Sequence, residues 1–123
     1  MTSGPCKQTL VALVLLAGAS ASLAADRYWV GAGSTNWSSD GNWSAISGGA
    51  GNASAPGSGD TAIFDAGSSN NCLIDAGVTV SNLTLNAGFA YALQQGAGRT
   101  VTVNGAFAQN GGVFVGGADN ITF

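Results

Sequence analysis

Beyond residue 24 the chain is predicted to be all-β, and three observations point there. Its apolar residues come in short runs rich in Val, Ile, Thr and Phe, with no i, i+3, i+4 stripe that a helix would bury. A turn signal of Asp or Asn followed by Ala-Gly recurs about every ten residues. A stretch that begins at Val78 repeats itself from Val101.

The first 24 residues read as a cleaved secretory signal. Lys7 gives a weak positive start, Leu10 to Ala17 is an apolar run too short to span a bilayer, and Ser22-Leu23-Ala24 offers small residues at the cleavage point. Residues 25–59 then form a Trp-rich cap followed by a Gly/Ser-rich loop. Residues 60–123 form the repetitive β region. The loop AISGGAGNASAPGSG, Ala45 to Gly59, has the composition of a flexible segment.

The turn signal appears as Phe64-Asp65-Ala66-Gly67, Ile74-Asp75-Ala76-Gly77 and Leu85-Asn86-Ala87-Gly88, with Ala108-Gln109-Asn110-Gly111-Gly112 as a degenerate fourth copy. Asp and Asn hydrogen-bond their own backbone and glycine accepts positive φ, so each copy marks a corner. The longer repeat pairs Val78-Thr79-Val80 with Val101-Thr102-Val103, and Ile121 opens a third copy. That period suits a right-handed parallel β-helix, a solenoid of short strands separated by Asn/Gly corners. With side chains alternating along a strand, Val78, Val80, Leu83 and Leu85 would stack on Val101, Val103, Ala106 and Ala108. An antiparallel β-sandwich is the alternative, because turns at this spacing also suit it. Phe123 falls three residues into a new coil, which predicts either the N-terminal piece of a longer protein or self-association through the open C-terminal coil.

Charge and residue types exclude several functions. Six aspartates face only Lys7, Arg27 and Arg99, and there is no histidine. Without a basic patch, nucleic-acid and membrane-surface binding are not expected, nor is membrane insertion after signal cleavage. Ser-His-Asp and Cys-His nucleophiles and imidazole metal sites cannot be assembled, so an enzyme, a metal site and a cofactor are not expected. Removal of the signal takes Cys6 and leaves Cys72 alone, without an internal disulfide. Cys72 reads as a small core residue, since nothing nearby in sequence would lower its pKa.

The candidate site residues are the three tryptophans, Trp29, Trp37 and Trp43. One reading makes them a stacking platform for sugar rings, flanked by Asn36, Ser38, Ser39 and Asn42. The other makes them a buried lid over the first coil, with a hairpin at Asp40-Gly41 bringing Trp37 and Trp43 together. Asp65 and Asp75 are conceivable as a glycosidase pair, or with Asp60 as calcium ligands, but their place in the turn signal assigns them to capping. Arg99 as a lyase base lacks an accompanying acidic cluster. The Asn-X-Ser/Thr sequons at Asn36, Asn42, Asn52, Asn82 and Asn120 matter only in a pathway that glycosylates asparagine.

The run Tyr28-Trp29-Val30-Gly31, Asn36-Trp37-Ser38, Asn42-Trp43-Ser44, Ala55 to Phe64 and Val80 to Leu85 resembles the start of the passenger regions of bacterial autotransporter-type, adhesin-like surface proteins with β-strand repeats. The resemblance implies a secreted or cell-surface bacterial protein with a structural or adhesive role, and glycans or host cell-surface components as partners. A carbohydrate-binding module, or the N-terminal part of a polysaccharide-active β-helix enzyme, are the alternatives.

Overall fold

A computed structural model describes residues 23–123, so the expected signal peptide lies outside the described residues except for its last two positions. No helix among the described residues is long and apolar enough to cross a membrane. The class is all-β. The strands are β1 (Asp26–Trp29), β2 (Trp43–Ser44), β3 (Thr61–Phe64), β4 (Cys72–Ile74), β5 (Val78–Val80), β6 (Asn82–Leu85), β7 (Ala92–Gln95), β8 (Val101–Val103), β9 (Phe107–Gln109), β10 (Val113–Val115) and β11 (Ile121–Thr122). A single 3-10 turn, Asp40–Asn42, is the helical element among the described residues.

These strands form three sheets. The first runs in the order β2-β1-β3-β6-β9, the second β10-β7-β4 and the third β11-β8-β5. Only the β1–β2 ladder is antiparallel among the described residues; every other ladder is parallel. That is not the hairpin pairing of the alternative antiparallel sandwich. From β3 onward each strand pairs with one that follows it by 20 to 24 positions, as in Thr61 opposite Asn82, Cys72 opposite Leu93, Leu83 opposite Phe107 and Val101 opposite Ile121.

Side-chain alternation explains why three such sheets hold together. In β3, β4, β5, β6 and β8 every second residue is buried: Ala62 and Phe64, Cys72 and Ile74, Val78 and Val80, Leu83 and Leu85, Val101 and Val103. The alternate residues, such as Thr79 and Thr102, face outward. The buried rows converge on one core, with Phe107, Phe114 and Ile121 partly buried against its far end.

The repeat lines up as the sequence predicts for β5 and β8, where Val78 pairs with Val101 and Val80 with Val103. It differs by one residue in the next strand. Leu83 pairs with Phe107, and Ala108 lies opposite Thr84, so Ala106 and Ala108 do not stack on Leu83 and Leu85. The cause is an extra residue in the Asn104–Ala106 corner, where Gly105 N donates to Ser81 O (2.6 Å) and Ala106 N to Asn82 Oδ1 (2.9 Å). The shift places the ring of Phe107, instead of a methyl group, beneath Leu83.

The turn signals do mark corners, but only the degenerate fourth copy uses positive φ, at Gly112 (65°). Gly67 and Gly88 are not among the positive-φ glycines. They are needed for close approach: a Cβ on Gly88 would lie 2.7 Å from the Ala66 side chain, and one on Gly67 would collide with the Gly48 backbone. Corner sits directly on corner, leaving no room for a methyl group.

The Gly/Ser-rich loop is tied down, contrary to its composition. Asn52 N donates to Asp40 O (3.1 Å), Ala53 N to Trp43 O (3.0 Å) and Ala55 N to the Asp40 carboxylate (2.9 Å). Asn52, at φ 73°, takes a left-handed conformation that Asn tolerates better than most residues.

Phe64 is fully buried within one connected core, so Phe64→Ala should lower unfolding free energy by about 3–5 kcal/mol. Thr79→Ala on the outer face should stay within about 0.5 kcal/mol. Denaturant titration followed by tryptophan fluorescence checks both.

Candidate functional site

The tryptophan-rich segment is built around strand β1 and the loop that follows it. Trp29 ends β1 and Trp43 opens β2, so their antiparallel pairing sets the two residues side by side. Trp37 enters from the loop, anchored where its N–H donates to Leu73 O (2.9 Å) at the outer edge of β4. The 3-10 turn at Asp40–Asn42, not a hairpin, connects Trp37 to Trp43, with ring centroids 4.8 Å apart in an edge-to-face arrangement. Trp29 meets Trp43 at 5.3 Å, and Phe64 lies within 6 Å of all three.

None of these rings offers a face to solvent. Trp29 and Trp43 are 0% exposed and Trp37 is 2% exposed. Indole N–H groups that would point at water in a binding platform instead donate inward, Trp29 Nε1 to Asn70 O (3.0 Å) and Trp43 Nε1 to Trp37 O (2.7 Å). The exposed stacking platform expected of Trp29, Trp37 and Trp43 is therefore corrected: aromatic burial against Phe64 occupies the surfaces a sugar ring would need.

Asn42, expected to flank that platform, is its buried support. Its Oδ1 accepts from Gly33 N and Ser34 N, and its Nδ2 donates to Ser34 Oγ and Asn36 O, all at 2.9 Å. All four hydrogen-bonding positions of the amide are thus filled. The sequon at Asn42 is closed to a glycan in the folded chain, since the residue is 0% exposed.

The aspartates act as fasteners. Asp65 accepts from Gly67 N (2.9 Å) within its own corner and from Ser47 Oγ (2.7 Å) across to the loop. Asp60 holds Ala25 N (3.0 Å) and Gly57 N (2.8 Å), and Asp119 holds Gly98 N (2.5 Å). Asp75 accepts from the backbone N (2.9 Å) and hydroxyl (2.5 Å) of Ser38. Burial alone would raise the Asp75 carboxyl, but the hydrogen bonds from Ser38, one from its own backbone and the Arg99 charge outweigh it and hold the group below its ordinary value. Asp60, Asp65 and Asp75 do not converge: among the described residues no three acidic, His or Cys side chains gather around a common point.

Cys72 is 1% exposed, with its thiol pushed well above the ordinary range by burial and further by the negative charge of Asp75. At neutral pH it is a protonated core residue. Sequence reasoning missed Phe89, buried in a corner against Phe64 (5.2 Å), and Gln95, a buried amide in β7. Gln95 Nε2 donates to Arg99 O (2.6 Å) and its Oε1 accepts from Gly117 N (2.7 Å), linking two successive corners. Alternation along β7 was the available signal for Gln95, since it continues the inward row of Leu93.

Comparison with protein-family models, with curated proteins and with solved structures finds no match.

Asn42→Ala leaves the part-buried N–H groups of Gly33 and Ser34 and the carbonyl of Asn36 without their partner, so it should destabilise by about 1–3 kcal/mol; thermal melting measures it. Asp75 has a folded pKa below its unfolded one. The Ser38–Asp75 contribution is therefore complete above the unfolded value, about 4, and is lost as pH falls through the folded value. The difference in Tm between the parent and Ser38→Ala should be present at pH 7 and shrink in strong acid.

Proposed function

We propose that this chain is an exported, non-enzymatic β-solenoid segment of a cell-surface protein, with a structural or adhesive role. In this reading the described residues wind as a right-handed parallel β-helix, each turn supplying one strand to each of three sheets. The observation that carries it is the in-register parallel pairing of Val78, Val101 and Ile121, and likewise of Cys72 with Leu93 and Thr61 with Asn82. The right hand is the one that parallel crossovers adopt. The buried tryptophans act as the lid that keeps water from the first turn.

A stack of this kind presents an elongated outer surface whose residues are set one turn apart, which is how repeat architectures make contact over distance. Export is supported by the apolar run at Leu10–Ala17 and the small residues ahead of Ala25. The lack of histidine supports a role in contact over one in catalysis.

Expression of the full chain in a Gram-negative host tests the reading. The expected product lacks residues 1–24 by intact mass, is recovered outside the cytoplasm and is accessible to antibody on whole cells. A full-length product confined to the cytoplasm overturns it.

A further inference from the structure

With the tryptophans turned inward, the outer face of the β4–β7 sheet has room for a ligand. A half-open cavity of about 250 Å³ lies there, lined by Thr35, Asn71, Cys72, Leu73, Ala92 and Gln94. We propose that this cavity is a binding site for one neutral pyranose unit of a glycan, a proposal that rests on the adhesive reading above.

The lining determines the ligand class. Leu73 and Ala92 give an apolar patch suited to the C–H face of a sugar, and Thr35, Asn71 and Gln94 give a hydroxyl and two amides suited to its hydroxyl groups. No charged side chain lines the cavity. A charged ligand would lose hydration there without an ionic partner.

The size limits the ligand to a single ring. Pockets that enclose drug-sized molecules measure roughly 300–1,000 Å³.

The backbone around the cavity argues against a peptide. Leu73 N donates to Thr35 O (2.6 Å), Trp37 N to Leu73 O (2.9 Å) and Ala92 N to Asn71 Oδ1 (3.0 Å). A strand added here would find these ladder groups taken. What remains is side-chain capacity. Among the described residues the Thr35 hydroxyl and the Gln94 amide make no side-chain hydrogen bond, and both residues are exposed. The Asn71 amide is oriented by the bond its Oδ1 accepts, which leaves Nδ2 as a fixed donor.

The test is a ¹⁵N–¹H NMR titration of the full chain with glucose, galactose, mannose, N-acetylglucosamine and their dimers. N-acetylneuraminic acid and a short Ala/Thr peptide serve as counter-probes. The expected result is a saturable shift of the Asn71 and Gln94 side-chain amides with at least one neutral sugar and with neither counter-probe. Gln94→Ala and Thr35→Val should each weaken that binding roughly fivefold, the loss of one hydrogen bond, at an unchanged melting temperature. No saturable shift with any neutral sugar, shifts confined to other faces, binding of the peptide or the acidic sugar alone, or unchanged affinity in both variants would each overturn the site. A chain displayed on cells that binds no sugar ends the cavity proposal alone, whereas a sugar-binding chain confined to the cytoplasm ends the surface reading alone.

Discussion

The packing of Phe64 against three indoles is the contact on which the rest of the molecule depends. Phe64 closes β3, the strand held between β1 on one side and β6 on the other. Its ring touches Trp29, Trp37 and Trp43 from the loop side and Phe89 from the stacked side. Without it, the irregular N-terminal segment and the regular parallel ladders would share backbone hydrogen bonds but little apolar surface. Charge contributes little cohesion to a chain with so few ionised side chains, and Cys72 is a free thiol. Burial of aromatic and aliphatic surface has to supply it.

Polar side chains in this fold make burial of irregular backbone possible. Loops carry N–H and C=O groups that no ladder satisfies, and each one left dry is destabilising. Asn42 satisfies three such groups beside the tryptophans, Gln95 performs the same task between corners, and the aspartates take N–H groups at the surface. Among the described residues no buried side-chain nitrogen or oxygen lacks a partner. The acidic residues that suggested chemistry in isolation are therefore parts of the scaffold. A carboxylate already accepting two well-placed hydrogen bonds, as Asp65 and Asp60 are, has its lone pairs directed into the protein.

The all-β class, the Val78–Val101–Ile121 pairing and the buried state of Cys72 were legible in the sequence, because each follows from local alternation or from a repeat with identical residue types. The position of Ala106 was not. A one-residue insertion in a Gly/Asn corner leaves self-alignment indifferent between two registers, and only the hydrogen bonds of Gly105 and Ala106 decide it. The fate of the tryptophans was open for a different reason: Ser, Asn and Gly neighbours look the same whether they flank an exposed ring or satisfy the backbone around a buried one. The cavity on the β4–β7 sheet was invisible, since Thr35, Asn71 and Gln94 are brought together only by strand pairing. Loop composition misled as well. Part of the glycine in Ala45 to Gly59 reflects backbone segments pressed together, as where Gly51 meets Gly41, whereas Gly59 has open space around it.

Successive ladders stay aligned although the chain length between partners varies, from Val101 to Ile121 at the short end to Leu83 to Phe107 at the long end. That variation falls at the corners between strands from β3 onward, where Ser68 and Phe89 are the buried exceptions among mostly outward-facing residues. An extra residue at a bend can change the lining, as the Asn104–Ala106 corner does by bringing Phe107 beneath Leu83, yet the parallel pairing is kept, so the outside contour of such a molecule can vary without loss of the ladders. Evolution of new contact surfaces and preservation of foldability are thereby assigned to different stretches of the same polypeptide.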